Sequence, residues 1–272
     1  MDRFKADTLL FDISRDQLQS LLNSEALRQK KAGRDNYSAN RLRDCLHSLY
    51  QWAIDRWELQ VPNPVSKIRK YPIQEKTKYI PEEWELELIE KTLNPKQRLL
   101  FLFVLQSGCR IGEALNLRAK DLNFEKRLVT LWSRKSKGAS LIYRKIPMPL
   151  VCDEIRVPKS QGNSNARIFK TWSSHPLFLR NTILRINKEL DKEPDMSHWD
   201  STWKKPEKIT YFSWHNLRHA CVSRMLTQGM PIYEVMVRVG HKNVMITMAY
   251  AQLLGFTKFT LVEGYEVDPY DF

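Results

Sequence analysis

Five side chains in this sequence make a set that suits a phosphodiester. Arg110 lies in Gly108-Cys109-Arg110-Ile111-Gly112-Glu113, and His215 and Arg218 lie in Trp214-His215-Asn216-Leu217-Arg218-His219. His241 lies in Val239-Gly240-His241-Lys242-Asn243, and the chain then runs on to Thr247-Met248-Ala249-Tyr250. Two guanidiniums offer planar forks that match the non-bridging oxygens of a phosphate. A phenol can attack phosphorus. Its reference pKa is about 10, so at neutral pH it needs nearby cations to favour the phenolate and an imidazole to take or share the proton.

Taken singly, each group has an ordinary explanation. Most tyrosines are half-buried packing residues, His241 suits a loop, and Arg110 could simply pair with Glu113. His215 and Arg218 are three apart, so on a helix they share a face and can reach one phosphate. His219, four from His215, also invites a metal reading. The zinc-protease pattern needs a Glu after the first His, and here that position is Asn216.

The elements that must carry these groups can be read in outline. Residues 13–26 and 38–57 are expected helices. Leu42, Leu46, Leu49, Tyr50 and Ala53 recur at helical spacing in the second, with Ser38 as its N-cap. Val61-Pro62-Asn63-Pro64 must end it, because proline disfavours a helical conformation in the residue before it. Residues 66–78 are polar and basic with no apolar period, and read as an interdomain linker. Pro81-Glu82-Glu83-Trp84 suits a helix start. A buried helix is expected at 96–107 with Gly108 as its stop. Residues 128–134 and 140–147 read as two strands with Lys135-Ser136-Lys137-Gly138 between them. Another helix is expected at 176–191. From Ser213 the chain reads as helical, broken at Gly229-Met230-Pro231 and at Gly240-His241-Lys242-Asn243, with Asn243 capping the helix of Tyr250. The division is 1–65, a helical domain that looks short, then the 66–78 linker, then 79–272.

The 272 residues carry a net charge of +13 with a pI near 9.6, which favours a polyanionic partner. No run approaches the roughly 18 apolar residues of a membrane-spanning helix, and the start shows no signal-peptide pattern. The four cysteines form no CxxC pair, so disulfides and a cysteine zinc site are not expected, and a reducing cytoplasm fits.

The three motifs, in this order, resemble the tyrosine recombinases, or phage integrases, across roughly residues 38–254. The first box is approximated by Ser107 to Leu115, the HxLRH pattern stands complete from His215 to His219, and the tyrosine follows a Gly-His pair by nine residues. The resemblance implies a mostly α fold with a small antiparallel sheet in the catalytic domain, and a two-domain clamp on double-stranded DNA. It implies Arg110 and Arg218 gripping the scissile phosphate, His215 and His241 beside it, Glu113 in support and Tyr250 as nucleophile. The products of attack would be a 3′-phosphotyrosine and a free 5′-hydroxyl. The family also uses a hairpin lysine as general acid. Lys135 is preferred because it ends the first strand, and Lys137 competes because the hairpin looks long.

In the first domain and linker, Arg41, Arg43, Lys67, Arg69 and Lys70 are the expected DNA contacts. No metal or other cofactor is expected, and no membrane. The expected assembly is a homotetramer on two DNA sites, with a monomer off DNA and DNA-bending accessory factors as further expectations. The expected compartment is a prokaryotic or virally occupied cytoplasm, with the nucleoid. The tail after Gly255 is expected to dock on a neighbouring protomer. Two departures stand out: no full first helix ahead of residue 13, and no additional arm-binding domain, so the N-terminus reads as truncated or naturally short. The alternatives are a type IB topoisomerase-like activity and a non-catalytic DNA-binding protein on the same fold.

Overall fold

The computed structural model describes residues 9–74, 78–134, 140–155, 165–191, 208–255, 259–262 and 265–267. The chain forms two compact units, 1–77 and 78–272.

The first unit is built on α1 (Arg15–Lys31) and α2 (Tyr37–Arg56). Ser14 and Gln17 form a capping box: the Ser14 hydroxyl accepts from the Gln17 amide, and the Ser14 amide donates to the Gln17 side chain. Helix α2 starts earlier than the sequence suggests, with Asn36 rather than Ser38 in the cap position. Leu18 and Leu22 of α1 pack with Tyr50 of α2 and with Val65 and Ile68 beyond it. The Tyr50 hydroxyl donates to the Leu10 carbonyl at 2.7 Å.

The stretch expected as a linker from residue 66 is largely part of this unit. Ile68 is buried. Asn40 clasps the Tyr71 backbone, donating to its carbonyl at 2.9 Å and accepting from its amide at 2.8 Å. Arg43 donates to the Ile68 carbonyl at 2.9 Å. Polarity in the sequence hid these contacts because they satisfy backbone groups rather than bury side chains.

Among the described residues the second unit is mostly helical, with a three-stranded sheet and a two-stranded one. Its helices are α3 (Glu83–Thr92), α4 (Pro95–Ser107), α5 (Ile111–Leu115), α6 (Phe178–Leu190), α7 (Trp214–Thr227), α8 (Ile232–Val239) and α9 (Val244–Leu253). The three-stranded sheet is antiparallel, in the order β1 (Leu122–Asn123), β2 (Leu128–Arg134), β3 (Leu141–Pro147). The sequence did not announce β1, a two-residue edge.

Helix α4 is buried on nearly every side, with Leu100, Phe101, Phe103 and Val104 sealed from solvent, and it packs on α7. It opens with an Asn94–Gln97 capping box and Pro95, and closes at Gly108 with φ 62°. That glycine is required twice over. Its φ is left-handed, and a Cβ there would lie 3.0 Å from Val239 and 3.1 Å from Cys221. A second apolar cluster joins α7, α8 and α9 through Val222, Met225, Val235, Val239, Met248 and Tyr250. Beyond it, β4 (Phe259–Val262) pairs with β5 (Tyr265–Val267), and β4 runs beside α8 of the same chain. The rest of the tail lies outside the described residues.

Candidate active site

Arg218 is the buried centre of the site. On α7 it is 1% exposed, yet it carries a full guanidinium. Its Nη1 donates to the Gly108 carbonyl at 2.8 Å and to the Val239 carbonyl at 2.7 Å. Those carbonyls belong to the C-terminal ends of α4 and α8, which otherwise leave acceptors unpaired and carry partial negative charge. One cation therefore closes two helix ends, which makes its burial tolerable. Its Nη2 is also buried and has no hydrogen-bond partner among the described residues. Burial, then Arg110 and Arg144, lowers its pKa to about 10.

Arg110 follows directly from the Gly108 turn and begins α5. Its side chain is half exposed, and Nη1 donates to Glu113 at 3.1 Å. Glu113 also accepts the Arg110 backbone amide at 3.0 Å. Burial alone would raise the Glu113 carboxyl. Hydrogen bonding and charge from Arg144, helped by Arg110, bring it below the usual carboxylate range.

His215 occupies the first turn of α7 and is exposed. His219 lies one turn on, with its ring 4.5 Å from that of His215. Asn243 caps α9 by accepting the Met245 amide at 3.0 Å, as expected, and α9 presents Tyr250. His241 shares a 2.8 Å hydrogen bond with Thr247 through Nδ1, and its ring lies nearly parallel to that of Tyr250 at 6.1 Å. Arg110, His215, Arg218, His241 and Tyr250 are thus gathered in one place. Electrostatic coupling of His241 to Arg218, Arg110 and His215, and of Tyr250 to Arg218, marks the same cluster.

Two neighbours were not foreseen. The first is His219: the Tyr250 hydroxyl is hydrogen-bonded to its Nδ1. Tyr250 is 2% exposed, and His219 is on the buried side of α7 facing α9, whereas His215 faces outward. The HxLRH pattern held that signal, but the residue there read only as a companion of His215. The other is Lys78, whose Nζ lies 4.4 Å from the centroid of the Tyr250 ring, a cation–π distance. Nothing in its polar sequence surroundings distinguished it. Lys135 and Lys137 lie outside the described residues.

Of the residues expected to touch DNA in the first unit, Arg41, Lys67 and Arg69 are exposed. Lys70 pairs with Asp44 at 2.8 Å on the surface. Arg43 is the exception: its guanidinium is bonded to the Ile68 carbonyl and to Asp44, so its work is within the fold.

The crowding of cations shows in the histidines. Burial, then His215, Lys78 and Arg218, presses His219 down to about 4. Burial, then Arg218, Arg110 and Lys78, presses His241 down to about 3. Both folded values lie below the unfolded histidine value near 6.5. The unfolded chain therefore binds more protons as pH falls, so stability present above about pH 6.5 is lost on acidification towards the folded values. His219 alone should cost on the order of 2 kcal/mol by about pH 5. Urea midpoints compared at neutral and mildly acid pH check this, and equal midpoints would show that the rings are not held neutral.

Two helix ends converge on one buried arginine, Arg218, with Arg110 and Tyr250 of α9 in the same cluster, as the resemblance to the tyrosine recombinases implies. The sequence profile of the phage integrase family matches residues 82–255, more than half of the chain, and the protein belongs to that family. The tyrosine recombinase XerA of Pyrococcus furiosus is 27% identical over 180 residues, covering 65% of this chain and 57% of that protein. The tyrosine recombinase XerC of Treponema denticola is 22% identical over 236 residues, covering 79% of this chain and 73% of that one. In fold the chain is similar to the Tn1549 transposon integrase solved in complex with transposon right end DNA. That match has a TM-score of 0.62 and 17% identity, and covers 89% of this chain and 82% of that one. Among the described residues no helix is long and apolar enough to cross a membrane.

Proposed function

We propose that this protein cuts and rejoins double-stranded DNA at specific sites, through a 3′-phosphotyrosyl bond on Tyr250. The observation that carries the reading is Arg218: a buried guanidinium with one nitrogen left over, beside a second arginine and depressed histidines. Such a pocket is short of negative charge. A phosphodiester supplies that charge, and its transition state supplies more.

In this reading Arg218 and Arg110 hold the non-bridging oxygens, and Glu113 sets the direction of Arg110. His215 and His241 donate hydrogen bonds to the same phosphate. The buried phenol, raised to about 12 by burial with the charge of Arg218 pulling the other way, stays protonated until the phosphate enters. As attack forms the Tyr250 Oη–phosphorus bond, the phenol proton passes to Nδ1 of His219 and the bond to the 5′ oxygen breaks. That oxygen takes its proton from the hairpin lysine, with Lys135 preferred and Lys137 the alternative. The phosphotyrosyl ester conserves the energy of the cut strand, so religation uses no metal or nucleotide. Exposed Arg41, Lys67 and Arg69 give the first unit basic groups for the phosphates of the duplex. Four copies on two sites, in a DNA-bearing cytoplasm, complete the scheme.

The test is a duplex nicked just beyond the scissile phosphate, so that the 5′-hydroxyl fragment diffuses away. The sequence comes from mapping DNA covalently bound in cells. Accumulation of a denaturation-resistant protein–DNA adduct is expected. A bound site without adduct points to a non-catalytic binder, and relaxation of a plasmid lacking the site points to a topoisomerase. Affinity for the duplex should also fall roughly 10³-fold between about 50 and 200 mM salt, as counterions released by phosphate contacts are forced back. A nearly flat salt dependence would contradict the clamp.

A further inference from the structure

Arg144 stands on β3, paired in register with Leu131 of β2. A charge at this position reads in the sequence as one more exposed strand residue, but the side chain is only 13% exposed. Its Nη1 donates to Oε1 of Glu113 at 3.0 Å and its Nη2 to Oε2 at 2.7 Å, a bidentate pair. Its Nε donates to the Arg238 carbonyl at 3.0 Å, at the end of α8. The same guanidinium lies against Gly240, where a Cβ would come within 3.0 Å of Nη1 and 3.2 Å of Cζ.

Each of these partners leads to a group in the site. Glu113 holds the backbone and side chain of Arg110. Arg238 and Gly240 form the turn that delivers His241. Strand β3 pairs along its length with β2. A buried ion pair is a poor source of stability, because desolvation offsets most of its attraction and apolar residues of similar volume often do as well. A planar fork with three fixed directions supplies geometry.

We infer that Arg144 is a positioning residue for strand cleavage. It holds Arg110 through Glu113, holds His241 through the end of α8, and ties both to strand β3. The inference rests on the recombinase reading given above.

Arg144→Lys keeps the charge and loses the fork, while Arg144→Met paired with Glu113→Gln removes both charges together and leaves no buried ion alone. At saturating protein, single-turnover cleavage of the nicked duplex by Arg144→Lys should fall roughly 10²-fold, the scale of a misplacement near 1 Å. Duplex affinity should stay within about threefold and unfolding should remain cooperative, because Arg144 does not itself meet DNA. If a folded Arg144→Lys protein cleaves within about threefold of the parent, or if Arg144→Lys and the paired Arg144→Met and Glu113→Gln protein lose cleavage only in step with lost fold or affinity, the inference is overturned. If the parent protein itself forms no adduct, the recombinase reading fails first and this inference fails with it.

Discussion

An Arg218→Lys protein is expected to bind its duplex and to cleave it about 10²- to 10³-fold more slowly. The guanidinium has two tasks at once. Nη1 closes the ends of α4 and α8 through the Gly108 and Val239 carbonyls, and Nη2, which has no partner among the described residues, is the atom assigned to a phosphate oxygen in the proposed function. A single ammonium on a flexible stem cannot reproduce both directions. It is also the wrong acid for the place. Burial, then Arg110 and Arg144, already lowers the arginine to about 10. Lysine has a lower reference value, so the same surroundings push it towards the neutral amine, which would no longer stabilise the extra charge of the transition state. Stability should fall modestly, because helix-end carbonyls lose part of their partner. Single-turnover cleavage, duplex affinity and thermal midpoint measured together separate these effects. Cleavage within tenfold of the parent would remove Arg218 from its assigned role.

The second large effect is expected from Tyr250→Phe, with complete loss of the covalent adduct and little loss of binding. The ring is retained, so the packing of Tyr250 among Val222, Val239 and Met248 should survive. Only the hydroxyl goes, and with it the nucleophile. The other consequence falls on His219, whose Nδ1 loses its partner in a buried setting. Leaving such a group unsatisfied costs about 1–3 kcal/mol, partly offset because the phenol no longer has to be desolvated. Denaturant midpoints read the stability change. A labelled 3′-phosphate strand on a denaturing gel reads the adduct. Should the phenylalanine protein still trap DNA through another residue, Tyr250 is not the nucleophile, and the chemistry assigned to this pocket must be redrawn around the residue that is labelled.

Local physical chemistry made much of the fold legible. Gly108 stops α4 because its backbone is left-handed and its Cα faces Val239 and Cys221. Asn243 starts α9 because its side chain accepts a free amide of the first turn. Helix α2 stops at Arg56, ahead of Val61-Pro62-Asn63-Pro64, where Asn63 donates to the His47 carbonyl. Where the reading fell short, the missing information was not local. The stretch from residue 66 looked like a linker because its side chains are polar, yet Asn40 and Arg43 bind its backbone. Arg43 looked like a DNA contact because it is basic and lies on the polar side of α2, yet its guanidinium is already engaged.

The chain order and the spacing of Arg110, His215, Arg218, His241 and Tyr250 were enough by themselves to name the kind of chemistry. Side-chain type fixes what a group can do, and helical spacing fixes which neighbours share a face. What each group meets was decided only by folding. Arg218 finds the Gly108 carbonyl across 110 residues, and Arg144 finds Arg238 across 94. His219 finds Tyr250 across 31. Periodicity carries no record of separations that long. They are set by the packing of α4, α7, α8, α9 and the sheet, which brings helix ends and buried charges together and leaves one buried guanidinium nitrogen without a partner among the described residues.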